Sequence, residues 1–252
     1  MEEKLILLTN DDGVLSDGVY SLKKALTDLG RVVVVSPSEE RSGASHALTM
    51  KTPVRIKEIE KDIYSLTGFP SDCIYAAIHG ILRRKPDLVV SGINRGANMG
   101  IDVYYSGTLA GVRQAAIEGV KGFAISINID KNPDKIHWET AADFSFKVAA
   151  EMLDKGYKKG GFLNINCPNV EKGEIKGVRI TKMGDRRYVT EVKRGEDPRG
   201  EGYYWLWGDY TAFGSIEDSD CDAVNDGFIS VSPMMLDVTD YTMINELKGW
   251  KF

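Results

Sequence analysis

What most constrains the fold of this chain is a repeated unit, a short unbroken apolar run followed by apolar residues at helical spacing. Lys4 to Thr9 reads Lys-Leu-Ile-Leu-Leu-Thr, and Arg31 to Ser36 holds four consecutive valines before Pro37. A run that is apolar at every position suits a strand buried on both faces, as parallel sheets require. Between these two runs Val19, Leu22, Leu26 and Leu29 recur at helical spacing, and Gly30 supplies a C-terminal stop. The unit then returns. Ser71 reads as the N-cap of a helix that turns Ile74, Ile78, Ile81 and Leu82 inward and ends before Pro86, with Asp87–Ser91 as the next strand. Ser106 caps a helix over Thr108–Glu118 closed by Gly119, after which come strand Phe123–Ile127, helix Trp138–Leu153 and strand Phe162–Ile165. The less regular stretch from Glu39 to Thr67 carries two alternating segments, Val54–Ile56 and Ile63–Leu66. Strand and helix in alternation predict an α/β fold, a Rossmann-like parallel-sheet sandwich with helices on both faces.

After Val178–Thr181 the texture changes. Charged and glycine-rich residues lead to Tyr203-Tyr204-Trp205-Leu206-Trp207, then to strand Phe228–Val231 and a final helix near Thr239–Leu247. This reads as an antiparallel extension, about 181–252, on a core of about 1–180. The extension has no core-forming helices of its own, so residues 1–252 are expected to form a single domain. The aromatic run on a hairpin suits a subunit contact, with burial against the same chain as the alternative.

Bulk properties exclude some classes. A net charge of -5 argues against a nucleic-acid polymer as a stable partner. It leaves room for a small anion, because a bound cation reverses the potential of one cleft. Cys73, Cys167 and Cys221 lie far apart with no CxxC, which predicts buried reduced thiols and neither disulfides nor a zinc site. No apolar run approaches the ~20 residues of a membrane span, and the N-terminus enters its first strand without a signal-peptide pattern. The expected compartment is the cytoplasm, with no membrane partner.

In an open α/β sheet, ligands bind beyond the carboxyl ends of the strands. The first strand ends in Thr9-Asn10-Asp11-Asp12-Gly13. Adjacent carboxylates leaving a buried strand repel one another unless a cation or strong donors sit between them, and such hard oxygens suit magnesium or manganese. Short acidic loops also serve as Asx-turns or caps. Asn10 stands where a dehalogenase-type phosphatase needs a nucleophilic aspartate, which excludes that class. The second strand opens into Glu39-Glu40-Arg41-Ser42-Gly43-Ala44-Ser45-His46, and the third into Ser91-Gly92-Ile93-Asn94-Arg95-Gly96-Ala97-Asn98-Met99-Gly100. In the latter an asparagine oxygen could complete a cation's coordination and Arg95 could face a phosphate. Tyr105-Ser106-Gly107-Thr108 marks a helix start, where free N–H groups, the positive dipole end and two hydroxyls make a phosphate cradle. His46 and His79 read as structural. The chain has no GxGxxG after the first strand, no GxxxxGK[ST] and no GxSxG.

Together these segments resemble the SurE family of 5′/3′-nucleotidases. The matching stretches are Thr9–Val14, Glu40–Ser45, Ser91–Gly96, Tyr105–Thr108, Asn164–Pro168 and Gly227–Pro233, so the resemblance spans almost the whole chain. It implies a divalent-metal-dependent phosphomonoesterase that converts nucleoside monophosphates to nucleoside and phosphate. One cation per subunit, Mg2+ or Mn2+, would be held by Asp11, Asp12, Ser42 and Asn94. Asn98, Ser106, Gly107 and Thr108 would line the phosphate site, with Asp11 and Asp12 catalytic. A homodimer or homotetramer, with the extension exchanged between subunits, is also implied. The chain departs from the family pattern at Ser36, Ala97 and Phe69, where alanine, proline and threonine are usual, and Phe69 bears on substrate preference. Two other classes share parts of this pattern: a non-catalytic nucleotide-binding module, and a metal-dependent nucleotide-sugar glycosyltransferase.

Overall fold

Successive residues of a strand face opposite sides of its sheet, and in the first strand both sides are covered. Leu5 and Leu7 pack into one apolar cluster, Ile6 and Leu8 into another. The computed structural model, which describes residues 3–129, 133–155, 157, 159–214 and 216–251, shows why. Strands β1 (Leu5–Thr9), β2 (Arg31–Pro37), β3 (Ile56–Glu60), β4 (Ile63–Leu66), β5 (Leu88–Arg95), β6 (Gly122–Asn128), β7 (Gly161–Pro168), β8 (Val178–Ile180) and β11 (Ile229–Met235) form one sheet. Strands β9 (Asp185–Glu196) and β10 (Gly202–Gly214) form a separate antiparallel ribbon. The large sheet has the order β3-β4-β2-β1-β5-β6-β7-β11-β8. From β4 through β7 all neighbours are parallel, while β3 and β11 are antiparallel to β4 and β7.

Helices α1 (Asp17–Leu26) and α4 (Trp138–Lys155) bring Val19, Leu22, Ala142 and Met152 onto one face, against Ile6, Leu8, Val34 and Val90. Helices α2 (Pro70–Ala76) and α3 (Gly107–Ile117) cover the other with Cys73, Ile74 and Ala115, against Leu5, Leu7, Val33 and Val35. Two further helices, α5 (Asp220–Asn225) and α6 (Tyr241–Leu247), belong to the distal part. The expected α/β sandwich is therefore the observed one. The chain leaves β1 toward β2 on one side and returns to β5 on the other, so the crevice of the switch point opens beyond the carboxyl ends of β1 and β5.

Several expectations shift locally. Ser71 is not a cap: Pro70 takes the first helical position, which suits proline, and Asp72 reaches back to accept the Phe69 N–H at 2.9 Å. The tail of this helix widens into a π-turn over Ala77–Ile81, closed by Leu82 N–H to Ala77 O at 2.8 Å. As a result Ile81 and Leu82 are only partly buried. The segment after Val178 does not stand wholly apart, since β8 and β11 rejoin the main sheet and only the ribbon projects from it. All three cysteines are buried and free. Among the described residues no helix is long and apolar enough to cross a membrane.

Candidate active site

The apolar run of β1 stops at Thr9, and the chain turns at once. Asn10 Nδ2 donates to Gly13 O at 3.0 Å and to Ser16 Oγ at 2.8 Å, closing a turn that presents Asp11 and Asp12 at its apex. Gly13 adopts a φ of +99°, which favours glycine, and packs against the backbone of Glu39. The β2 loop is joined to this turn by main-chain bonds, Val14 N–H to Pro37 O at 2.9 Å and Arg41 N–H to Asp11 O at 2.7 Å. Its far side is pinned ahead of α3, where Ser45 donates through its N–H to Tyr105 O at 2.9 Å and through Oγ to Tyr104 O at 2.6 Å.

Strand β5 does not end at Ser91 as its sequence suggests. Its pairing with β6 steps from Ser91↔Ala124 to Asn94↔Ser126, so one extra residue bulges out and the strand continues to Arg95. Gly92 makes the bulge possible, with φ at +132° and no room for a side chain: a Cβ there would lie 2.2 Å from Ile125 O. Asn94 is thus fixed on a strand end. Its Nδ2 donates to Gly96 O at 2.7 Å, which leaves Oδ1 as the group free to take a cation. Arg95 contributes its N–H, 3.1 Å from Asp12 Oδ2, while its side chain is exposed.

The start of α3 closes the site. Ser106 is the N-cap, its Oγ accepting the Leu109 N–H at 3.1 Å. Gly107 lies so near Asp11 that a Cβ would meet Asp11 Cβ and Oδ2 at 2.9 Å. Thr108 Oγ1 donates to Asp11 Oδ1 at 2.5 Å. Asn98 is buried beside them, its Nδ2 donating to Ser126 Oγ at 2.9 Å and approaching Thr108 Oγ1 at 3.5 Å. Of the eight residues implied for the site, Asp11, Asn98, Ser106, Gly107 and Thr108 form one contiguous group and Asp12 and Asn94 border it through β5. Ser42 stands apart: it is exposed, and its hydroxyl donates to Glu40 Oε1 at 2.9 Å. Its neighbour Arg41 touches the acidic turn through the main chain.

Burial dominates the electrostatics. It pushes the Asp11 carboxyl up to about 7, against the lowering effect of the Thr108 bond and with a further upward contribution from Asp12. Asp12 is also held above the ordinary carboxylate range, chiefly by burial and also by Glu40, although the Arg95 N–H opposes this. Among the described residues no three Asp, Glu, His or Cys side chains gather to hold a metal. A cation here must therefore be completed by neutral oxygens, and Asn94 Oδ1 has that chemistry. Two carboxyls both raised chiefly by burial, beside an uncommitted amide oxygen, fit a hard divalent ion.

Sequence reasoning missed the residues beneath the site. Asn166 Oδ1 accepts the Asn98 N–H at 2.8 Å, and Asn98 O accepts from Asn164 Nδ2 at 2.8 Å and Asn166 Nδ2 at 3.1 Å. Asn164 and Asn166 are fully buried on β7, and two amides at alternate positions of an apolar strand were the signal to read. Asp220, also fully buried, accepts from Gly100 N at 2.9 Å and Gly184 N at 2.8 Å, and so ties the end of the third loop to the ribbon. His46 Nε2 pairs with Gln114 Oε1 at 2.9 Å, the structural role expected of it.

Comparison with known proteins converges on one family. The family model described as Survival protein SurE matches residues 6–190. A relative from Syntrophotalea carbinolica named 5′-nucleotidase SurE is 42% identical over 246 residues, 98% of this chain and 97% of its own. Another of that name from Geobacter sulfurreducens is 42% identical over 97% of this chain and 93% of its own. A crystal structure of the SurE protein from Aquifex aeolicus superposes with a TM-score of 0.85 at 38% identity, covering 97% of this chain and 98% of the other.

Proposed function

The chain belongs to the SurE family and is a nucleotidase, and on that footing we propose that the residues gathered at the ends of β1 and β5 and the start of α3 hydrolyse nucleoside monophosphates to nucleoside and phosphate. Asp11, Asp12 and Asn94 Oδ1 would hold one divalent cation per subunit, Mg2+ or Mn2+, and Ser42 would join them by turning its hydroxyl away from Glu40. Such a cation supplies positive charge that polarises the phosphoryl group and offsets the two carboxylates. Thr108 engages one oxygen of Asp11 and fixes the direction of the other. The acidic pair orients the attacking water and takes its proton as the new P–O bond forms, and the proton passes to the nucleoside oxygen as its bond to phosphorus breaks. Free N–H groups at Gly107 and Thr108, with the Ser106 hydroxyl, meet charge on the equatorial oxygens. Asn98 serves from behind, holding Thr108.

The observation that carries this reading is the contact of Asp11 with both Gly107 and Thr108, which brings the acidic pair against a helix N-terminus. Such an arrangement suits a cation-bound phosphate ester, whose negative charge the helix N-terminus can receive. The test is phosphate release from nucleoside 5′- and 3′-monophosphates and from simple phosphomonoesters, with Mg2+, Mn2+ or chelator. Release should require the ion and disappear in Asp11→Asn and Asp12→Asn. Turnover unaffected by either substitution would remove the acidic pair from the mechanism, and nucleotide binding without release would leave a binding module.

The proposed assembly is a homodimer or homotetramer in the cytoplasm, with residues 1–252 forming a single domain whose distal part makes the contact. In its support, Tyr203, Tyr204, Trp205 and Leu206 on β10 are all exposed, Leu206 at 83%. The side chain of Trp207, the last of that run, lies outside the described residues. Sedimentation at micromolar concentration should show more than one subunit, and Leu206→Glu should shift the protein toward monomer. A wild-type monomer would end this part of the reading.

A further inference from the structure

We propose that Phe69 and Arg41 form the platform on which the nucleobase stacks, and so set this chain's preference for nucleotides over other phosphomonoesters. The proposal rests on the nucleotidase reading of the neighbouring site and concerns only what lies beside it.

The topology puts the pair in range. Strand β4 is hydrogen-bonded to β2, with Leu66 opposite Pro37, and β2 to β1. The loops after β4, β2 and β1 therefore open side by side on the edge that carries the acidic turn. Neighbouring strands lie about 4.8 Å apart. The axes of β4 and β1 are thus about 10 Å apart, and Phe69 lies in the loop three residues past Leu66, beside the β2 loop that carries Arg41. Arg41 fills the step between: its N–H bonds Asp11 O at 2.7 Å, while its guanidinium carbon lies 5.4 Å from the centre of the Phe69 ring.

The pair is held in place before any ligand arrives. Asp72 accepts the Phe69 N–H at 2.9 Å and Phe69 O accepts from Cys73 N at 3.0 Å, so the ring stands on the first turn of α2. The same carboxylate takes the Thr49 N–H at 2.9 Å and hydroxyl at 2.7 Å, fastening the far end of the β2 loop to that helix. Glu39 Oε1 lies 2.5 Å from Arg41 Nη2 and keeps the guanidinium on the wall and away from the phosphate. Yet Phe69 is only half-buried. A partly open aromatic ring backed by a guanidinium offers a flat surface to any base and reads none of its edges. Because the wall is already ordered, little is lost in ordering it on binding.

The experiment compares kcat/KM for adenosine 5′-monophosphate with that for glycerol phosphate, using the full chain with its divalent ion. In Phe69→Ala the ratio of the two should fall about tenfold, mainly through KM for the nucleotide, and Phe69→Trp should restore it. Trp keeps a ring at the position and separates loss of stacking from loss of folding. A ratio that stays at the wild-type value in Phe69→Ala, including through an equal decline for both esters, overturns the platform. Titration calorimetry with adenosine, which has no phosphate to lose, reads the platform without turnover. Binding should weaken about tenfold in Phe69→Ala, and equal binding or none to the wild type overturns it. A wild-type protein that releases phosphate from neither ester sinks the hydrolase reading, and adenosine binding then decides the platform alone.

Discussion

Replacing Asp11 by asparagine should destroy activity and at the same time make the ion-free protein more stable. Asp11 is 4% exposed, and its carboxyl is pushed up to about 7, mainly by burial, from an ordinary value of 3.8. Below about pH 4 the acid is neutral in both folded and unfolded chains, and its burial carries no charge penalty. Between about 4 and 7 the unfolded chain ionises while the folded one holds its proton, so stability falls with each unit of pH. Each unit is worth about 1.4 kcal/mol, and some three units give a loss of about 4 kcal/mol complete just above pH 7. Asparagine has nearly the same shape, keeps an oxygen for the Thr108 hydroxyl and never ionises. The assay is urea unfolding in chelator at several pH values between 4 and 8. Wild type should lose about 4 kcal/mol more than Asp11→Asn across that window, and the two should agree at the acid end. Adding Mg2+ should then stabilise wild type by mass action and leave Asp11→Asn nearly unmoved. Equal pH slopes for the two proteins would show that Asp11 is not the buried charge at issue.

Three other substitutions probe the same corner. Gly107→Ala places a methyl 2.9 Å from Asp11 Oδ2, and a displacement of that order should cost roughly a hundredfold in kcat, read by steady-state phosphate release. Thr108→Val removes the donor to Asp11 Oδ1 and should raise the Asp11 pKa further. The loss of stability with pH in chelator should then extend to higher pH, because the side-chain bond no longer favours the anion. Asn166→Leu strands the buried Asn98 N–H, at about 1–3 kcal/mol for an unsatisfied buried donor, measured by urea unfolding. In the same variant inorganic phosphate should inhibit less well, because the residue holding Thr108 has been loosened.

Consecutive apolar residues made the sheet legible from sequence. Leu5 to Leu8 and Val32 to Val35 can be buried only where both faces are covered, so their composition already specified helices on either side. The loops that carry chemistry followed from the same argument, since they are what lies beyond those strands. Features set by distant partners were not legible. Gly92 looks like a strand end, and only the closeness of Ile125 O reveals a bulge that carries β5 on to Arg95. Asn94 and Asn98 are identical letters four positions apart. One has its nitrogen tied to Gly96, and the other is locked by Asn164, Asn166 and Ser126 across two strands. Ser71 fits the N-cap rule better than Phe69 does, yet a proline and a back-reaching aspartate overrule it. The tie of Asp220 to Gly100 and Gly184 joins segments more than thirty residues apart, and nothing local announces it.

The site consists of two halves that meet at a single side chain. One half, on β1 and β5, gathers negative charge and needs a cation. The other, at the start of α3, gathers donors and needs an anion. Asp11 belongs to both, because Thr108 and Gly107 of the second half touch the carboxylate of the first. In the ion-free protein that carboxyl is half protonated near neutral pH, so binding a cation must expel a proton. A phosphate dianion arriving without the cation would face the acidic pair directly and bind only with protons on it. Arriving beside a bound cation, it meets carboxylates whose charge the ion already balances, and is no longer repelled by them. By reciprocity each ligand strengthens the other to the same degree. Ion and substrate should therefore bind together more tightly than either binds separately, and the buried hydroxyl of Thr108 is the physical link between them.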